Sequence, residues 1–232
     1  MDADTSTPPL GAILRSYPFR LGLYAIATLV LFQAVFWAIK TYGSETLSIE
    51  NGPIEMAQVV LALVASAGLF YAASRAVVGR AGLVVCGAIV TYAAARESDL
   101  LMETLFFDDA YKYLVGIPMM VLCGWIVVRK RRNLIGETMW LLRQPAATLF
   151  GIAGIYLCFV CQSFDRPDMW GAITNGAQVE ATKAMVEEYA ELFAYLLLAF
   201  SGFEATILVR QMRASESTAD LETDEDYPRI AA

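Results

Sequence analysis

Six apolar segments, each close to the length needed to cross a lipid bilayer, dominate this sequence of 232 residues. A helix needs about 20 consecutive apolar residues to span the hydrocarbon core. The segments are residues 19–39, 54–76, 81–107 (apolar to 95 and then mixed), 110–128, 145–164 and 185–209. Since a spanning helix satisfies its backbone hydrogen bonds internally, uninterrupted segments of this length indicate helices. We therefore expect an all-α fold, a polytopic membrane helical bundle with six transmembrane helices.

The composition and its distribution divide the chain into three regions. Hydrophobic residues make up 57% and charged residues 18%, whereas soluble domains are about half apolar and a quarter charged. Residues 1–18 form a short polar N-terminal segment, and residues 19–213 form the transmembrane domain. Residues 214–232 are acidic with little apolar content, which predicts a disordered tail.

The basic residues are unevenly distributed between the two sides of the predicted bundle. With six crossings, 12 of the 17 lie on the side of the termini. The other side holds Lys40, Arg96, Lys112, Arg166 and Lys183. Because cytoplasmic loops carry the excess of Lys and Arg, both termini are predicted to be cytoplasmic, in a cell membrane.

Several functional classes are excluded by residue type. The chain has no histidine, which excludes histidine-ligated haem, histidine zinc sites and Ser-His or Cys-His catalysis. No basic patch is interleaved with aromatics, so no nucleic-acid partner is expected. Cys158 and Cys161 have the spacing of a redox pair, but no charged neighbour in IYLCFVCQSF activates a thiol, and ordinary packing is the favoured interpretation.

Carboxylates collect where three of the apolar segments meet the non-cytoplasmic side. On the second segment, Glu55 and Gln58 share a helix face, although a carboxylate in a first turn also favours the helix dipole. The third segment ends in the stripe Tyr92, Arg96, Asp99 and Glu103, with Glu97 beside it. Acids at a helix C-terminus oppose the dipole, so capping does not explain them.

The sixth segment begins with a further acidic group. Glu187, Glu191 and Tyr195 lie on one helix face, with Glu188 next to them. Either the helix extends into water there, or these side chains face the interior of the bundle, as intramembrane charges usually do.

Together these side chains predict one outward-facing acidic pocket between the second, third and sixth helices. The predicted cation ligands are Glu55, Glu97, Asp99, Glu103, Glu187, Glu188 and Glu191, supported by Gln58, Tyr92, Arg96 and Tyr195. Oxygen ligands without histidine or thiolate suit Mg²⁺, Ca²⁺ or Mn²⁺ as the cofactor.

The acidic motifs at these three helix ends also carry a resemblance. E-x-G-x-x-E at Glu50–Glu55, R-E-x-D at Arg96–Asp99 and E-E-x-x-E at Glu187–Glu191 resemble those of uncharacterised bacterial multi-pass membrane proteins. The resemblance implies a bacterial inner membrane and brings no activity with it.

Three functions remain open from the sequence. The first is binding or transport of a divalent cation, protons or a cationic or polar solute in the pocket. The second is a membrane-embedded hydrolase in which a carboxylate-bound metal activates water against a lipid. The third is a non-catalytic assembly or sensor subunit. The expected partners are the lipid bilayer and either another membrane protein or a second copy of the chain.

Overall fold

The structure, a computed structural model, describes residues 16–49, 52–164, 166–174 and 179–225. Most of these residues are helical, and short turns connect the helices. No strand occurs in these ranges. The helices are α1 (Tyr17–Tyr42), α2 (Ser44–Leu47), α3 (Pro53–Arg75), α4 (Arg80–Arg96), α5 (Asp99–Leu105), α6 (Ile117–Lys130), α7 (Leu134–Leu141), α8 (Pro145–Ile155), α9 (Gln162–Phe164), α10 (Pro167–Ile173) and α11 (Val179–Glu225). A π-helical stretch at Lys112–Gly116 leads into α6, and a second at Tyr156–Cys161 joins α8 to α9.

Five helical stretches among the described residues are long and apolar enough to cross a membrane. They are Tyr17–Tyr42, Pro53–Arg75, Lys112–Lys130, Pro145–Phe164 and Val179–Ser215. The expectation of an all-α, multi-pass membrane protein is confirmed to this extent. The remaining predicted span corresponds to α4, which has 17 residues. Its length is therefore about 26 Å, somewhat less than the ~30 Å hydrocarbon core.

The third predicted segment, 81–107, is not one continuous helix. α4 ends at Arg96, and α5 begins at Asp99. Between them, the Ser98 hydroxyl donates to the carbonyl oxygens of Ala94 and Ala95, at 3.1 and 3.2 Å. Such bonds from a serine to its own backbone accompany the bend between the two helices.

The last helix extends into the region of the predicted tail. α11 continues to Glu225, whereas a disordered tail is predicted from residue 214. The sequence ASESTADLE includes Ala, Glu and Leu, which favour helix. Residues 1–15 and 226–232, which complete the predicted N-terminal segment and tail, lie outside the described residues.

By its internal contacts the chain divides into two units, one ending at Leu47 and one beginning at Ser48. The first contains α1 and α2, and α1 has no buried residue among its 26. The second unit contains all the residues predicted to form the acidic pocket.

α3 and α11 form the centre of the second unit. α3 packs against α11 and α4, α6 packs against α4, and α8 packs against α11. Alanines such as Ala62, Ala65 and Ala205 are fully buried in this core. α3 and α11 approach closely at Gly68 and Gly202, where a Cβ on Gly202 would lie 2.7 Å from the carbonyl oxygen of Ala65. Small residues that let helix backbones approach are typical of membrane interfaces, and this one sets α3 against α11.

Candidate functional site

Acidic side chains from α3, from the α4–α5 junction and from α11 line one cavity of about 180 Å³. The lining residues are Glu55, Arg96, Glu97, Asp99, Glu187, Glu188 and Glu191. We call this the acidic cavity. It combines six carboxyl groups with one guanidinium group, contributed by segments up to 136 residues apart in sequence (Glu55 to Glu191). Six of the seven predicted cation ligands therefore lie around one space.

The three elements deliver these side chains in different ways. Pro53 occupies the first position of α3, which places Glu55 in the first turn, where its carboxylate also favours the helix dipole. Glu97 and Asp99 flank the break between α4 and α5. α11 begins at Val179, so Glu187, Glu188 and Glu191 lie more than two turns inside this helix. The packing of α11 on α3 holds them in place.

Glu97 contacts two side chains, the Tyr195 hydroxyl and the Arg96 guanidinium. The Tyr195 hydroxyl donates a hydrogen bond to Glu97 Oε1 at 2.9 Å. Arg96 Nη1 lies 3.6 Å from the same oxygen, with the arginine side chain 56% exposed and the glutamate 9% exposed. Burial raises the pKa of Glu97 above its ordinary value of 4.5, although Arg96 and the Tyr195 hydrogen bond both act to lower it.

Gln58 connects α3 to the acidic group of α11. Its Nε2 donates to Glu188 Oε2 at 2.8 Å and to the Glu188 carbonyl oxygen at 3.0 Å. Gln58 is fully buried, and its Oε1 has no hydrogen-bond partner. An unsatisfied buried acceptor costs about 1–3 kcal/mol, so this amide is held in place at a cost to stability. The predicted supporting residues Gln58 and Tyr195 thus both contact the acids of the cavity.

Two predicted site residues are not brought into the acidic cavity. Glu103 Oε1 accepts a hydrogen bond from the backbone N–H of Asp109 at 3.0 Å. Tyr92 packs against Tyr111, with ring centroids 6.0 Å apart. The predicted stripe assumes one helix through residue 107, but α4 ends at Arg96, so Glu103 is not in register with Tyr92 and Arg96. Tyr92 itself lies on α4, one turn before Arg96.

The sequence contains a signal for the break after Arg96, although the helical periodicity continues across it. Ser98 followed by Asp99 is the pattern of a helix start, with a small polar residue at the N-cap and an acid in the first turn. Applied to ARESDLLMETL, this rule separates Asp99 and Glu103 from the register of α4.

The acidic cavity does not present a ready-made metal site. Among the residues that the structure describes, no three Asp, Glu or Cys side chains are grouped closely enough to hold a metal ion. Crowded carboxyl groups can instead accept charge-assisted hydrogen bonds from an ammonium group or from the water shell of a cation. They can also relieve their repulsion by binding protons.

The chain matches no family model, no curated protein and no solved structure.

Proposed function

We propose that this chain is a six-span protein of the cell membrane, with both termini cytoplasmic, and that its acidic cavity binds a small cation from the opposite side. Twelve of the 17 basic residues lie on the side of the termini in this topology. The crossing by α4 is supported by its packing between α3 and the helical stretch Lys112–Lys130, which are both long and apolar enough to span. The bacterial inner membrane implied by the sequence resemblance is part of the same proposal.

The proposal is carried by the arrangement of charge around the acidic cavity. Six carboxyl groups and one guanidinium surround about 180 Å³ of space. Glu191 is 7% exposed, so part of this charge is removed from bulk solvent. Ionisable groups buried in a membrane bundle are costly, and a bound cation offsets their mutual repulsion.

The ligand that best suits the cavity is a small organic cation with an ammonium group. Several carboxylates can accept hydrogen bonds from one ammonium without forming a metal coordination shell. The space corresponds to about six water molecules at ~30 Å³ each, enough for such a group. A hydrated divalent ion would fit by the same outer-sphere contacts.

Binding is favoured over passage through the bundle because α3 becomes apolar beyond Gln58. Its buried residues from there on are Ala62, Ala65, Ser66, Leu69, Ala72 and Ala73. Ser66 is the one polar member of this set, and its hydroxyl is 2.6 Å from that of Thr91. A transport path requires polar groups along the helices, and this face of α3 offers little for it.

The test is isothermal titration of the detergent-purified full chain with putrescine and, separately, with CaCl₂. Putrescine is expected to bind, and Glu191→Gln is expected to weaken it about tenfold, since a hydrogen bond to a charged group contributes about 1.5–3 kcal/mol. Asp108→Asn is the matched control. It also removes one negative charge, but from a residue that is exposed in the loop after α5. The proposal would be overturned if neither cation bound, or if both variants lost the same amount of affinity for putrescine.

A further inference from the structure

A second cavity, of about 570 Å³, lies between α4 and the helical stretch of residues 112–130. Its walls are almost entirely apolar, formed by side chains such as Val85, Ile89, Met120 and Cys123. We call it the lateral groove. Its volume is within the range of ligand sites, about 300–1,000 Å³.

The π-helical stretch at Lys112–Gly116 contributes residues to the lining of the lateral groove. A Cβ on Gly116 would lie 3.0 Å from the ring of Tyr92, so a glycine lets the two helices meet closely at this end. Pro118, two residues on, has no backbone N–H to donate, which favours the wide turn before it. π-helical turns of this kind frequently occur at functional sites.

One end of the lateral groove carries an ion pair. Lys112 lines the groove, and its Nζ lies 2.6 Å from Asp109 Oδ1. The two side chains are 49% and 50% exposed, so both charges are accessible beside the apolar walls. Asp109 is held there by its backbone N–H, which donates to Glu103.

We propose that the lateral groove binds one acyl chain of a phospholipid whose headgroup is phosphoethanolamine. One wall belongs to a stretch, Lys112–Lys130, that is long and apolar enough to span a membrane and is largely unburied. Water does not fill an apolar groove of this kind, so a lipid chain is the occupant at membrane depth. The headgroup then meets charges of both signs: its phosphate pairs with Lys112, and its ammonium group donates hydrogen bonds to Asp109. A choline headgroup has no N–H to donate.

The test is native mass spectrometry of the full chain with equal amounts of phosphatidylethanolamine and phosphatidylcholine. The wild type is expected to retain phosphatidylethanolamine preferentially. Lys112→Ala is expected to reduce that retention about tenfold, the effect of one charge-assisted contact. Val85→Trp is expected to abolish it by filling the groove. The control is Ile155→Trp, at a position on α8 that is 61% exposed and outside the groove.

Three results would overturn the inference: equal retention of the two lipids, wild-type retention in Lys112→Ala, or retention in Val85→Trp equal to that in Ile155→Trp. Because Lys112 is on the surface, its substitution tests the site even if the tryptophan variant does not fold. Cation binding in the acidic cavity is not involved, so the two proposals fail separately.

Discussion

Replacing Gly202 with alanine is expected to force α3 and α11 apart at the centre of the second unit. The new Cβ would lie 2.7 Å from the carbonyl oxygen of Ala65 and 3.0 Å from its Cα. Ordinary van der Waals contact begins at 3.4 Å, so one backbone must move by about 0.7 Å, the difference between 3.4 and 2.7 Å. Both contacts are with backbone, so no flexible side chain can absorb the change.

The cost of this movement follows from the behaviour of well-packed cores. Inserting a methyl group into such a site costs about 1–3 kcal/mol. Alanine also gains about 0.5–1 kcal/mol over glycine inside a helix, which offsets part of the loss. The control must therefore be another glycine-to-alanine substitution in a helix, one that brings the same gain in helix propensity but no steric clash. Gly124→Ala on α6 meets this need, since nothing lies within 4 Å of its added Cβ.

The assay is reversible denaturant titration of both variants in detergent, followed by the fluorescence of the four tryptophans. Gly202→Ala is expected to have a free energy of unfolding about 1–3 kcal/mol below that of Gly124→Ala. Equal stability of the two variants would show that α3 and α11 do not approach as closely as described, and would remove the basis for bringing Glu55 near Glu188.

Three further effects are expected around the acidic cavity. Tyr195→Phe removes the hydrogen bond to Glu97 and is expected to lower the free energy of unfolding by about 1–3 kcal/mol. The loss is expected to be larger at high pH, where Glu97 is ionised, than below pH 4.5, where it is neutral, and equal losses would contradict this. Because burial raises the pKa of Glu97, the stability from its neutral form is present below 4.5 and is lost as pH rises through the raised pKa. Glu97→Gln is therefore expected to retain more of its thermal stability than the wild type when pH is raised to about 8, and parallel curves would refute the sign. Gln58→Leu removes both hydrogen bonds to Glu188. It is expected to raise the dissociation constant for putrescine, measured by titration, about tenfold. An unchanged constant would show that Gln58 does not position Glu188.

The helical fold could be predicted because hydrocarbon leaves few alternatives to a helix. The observed α3, Pro53–Arg75, differs by one residue at each end from the predicted 54–76. Pro53 marks its start, and the apolar run ends at Arg75. α11 is harder because no breaker separates its spanning part from residues 214–225, and composition alone predicts disorder there.

The acidic cavity could be predicted in part, because helices that cross a membrane bring their ends to the same depth. The predicted topology places the acids of α3 and α11 at one depth, and packing brings them around one space. The exact set depended on where α4 ends, since a break at Ser98 removes Glu103 and retains Asp99. The lateral groove has no periodic signal in the sequence, since its lining includes a π-helical stretch that the helical period does not describe.

The central claim is that acids from distant segments hold one cation, and a double-mutant cycle on putrescine affinity tests it most directly. The cycle compares Glu55→Gln on α3, Glu188→Gln on α11 and the double variant of the full chain. If both carboxylates contact the same ammonium group, each substitution weakens binding and the two effects are coupled by about 0.5–3 kcal/mol. Effects that add within about 0.3–0.5 kcal/mol, or no effect of either substitution, would contradict a single shared site.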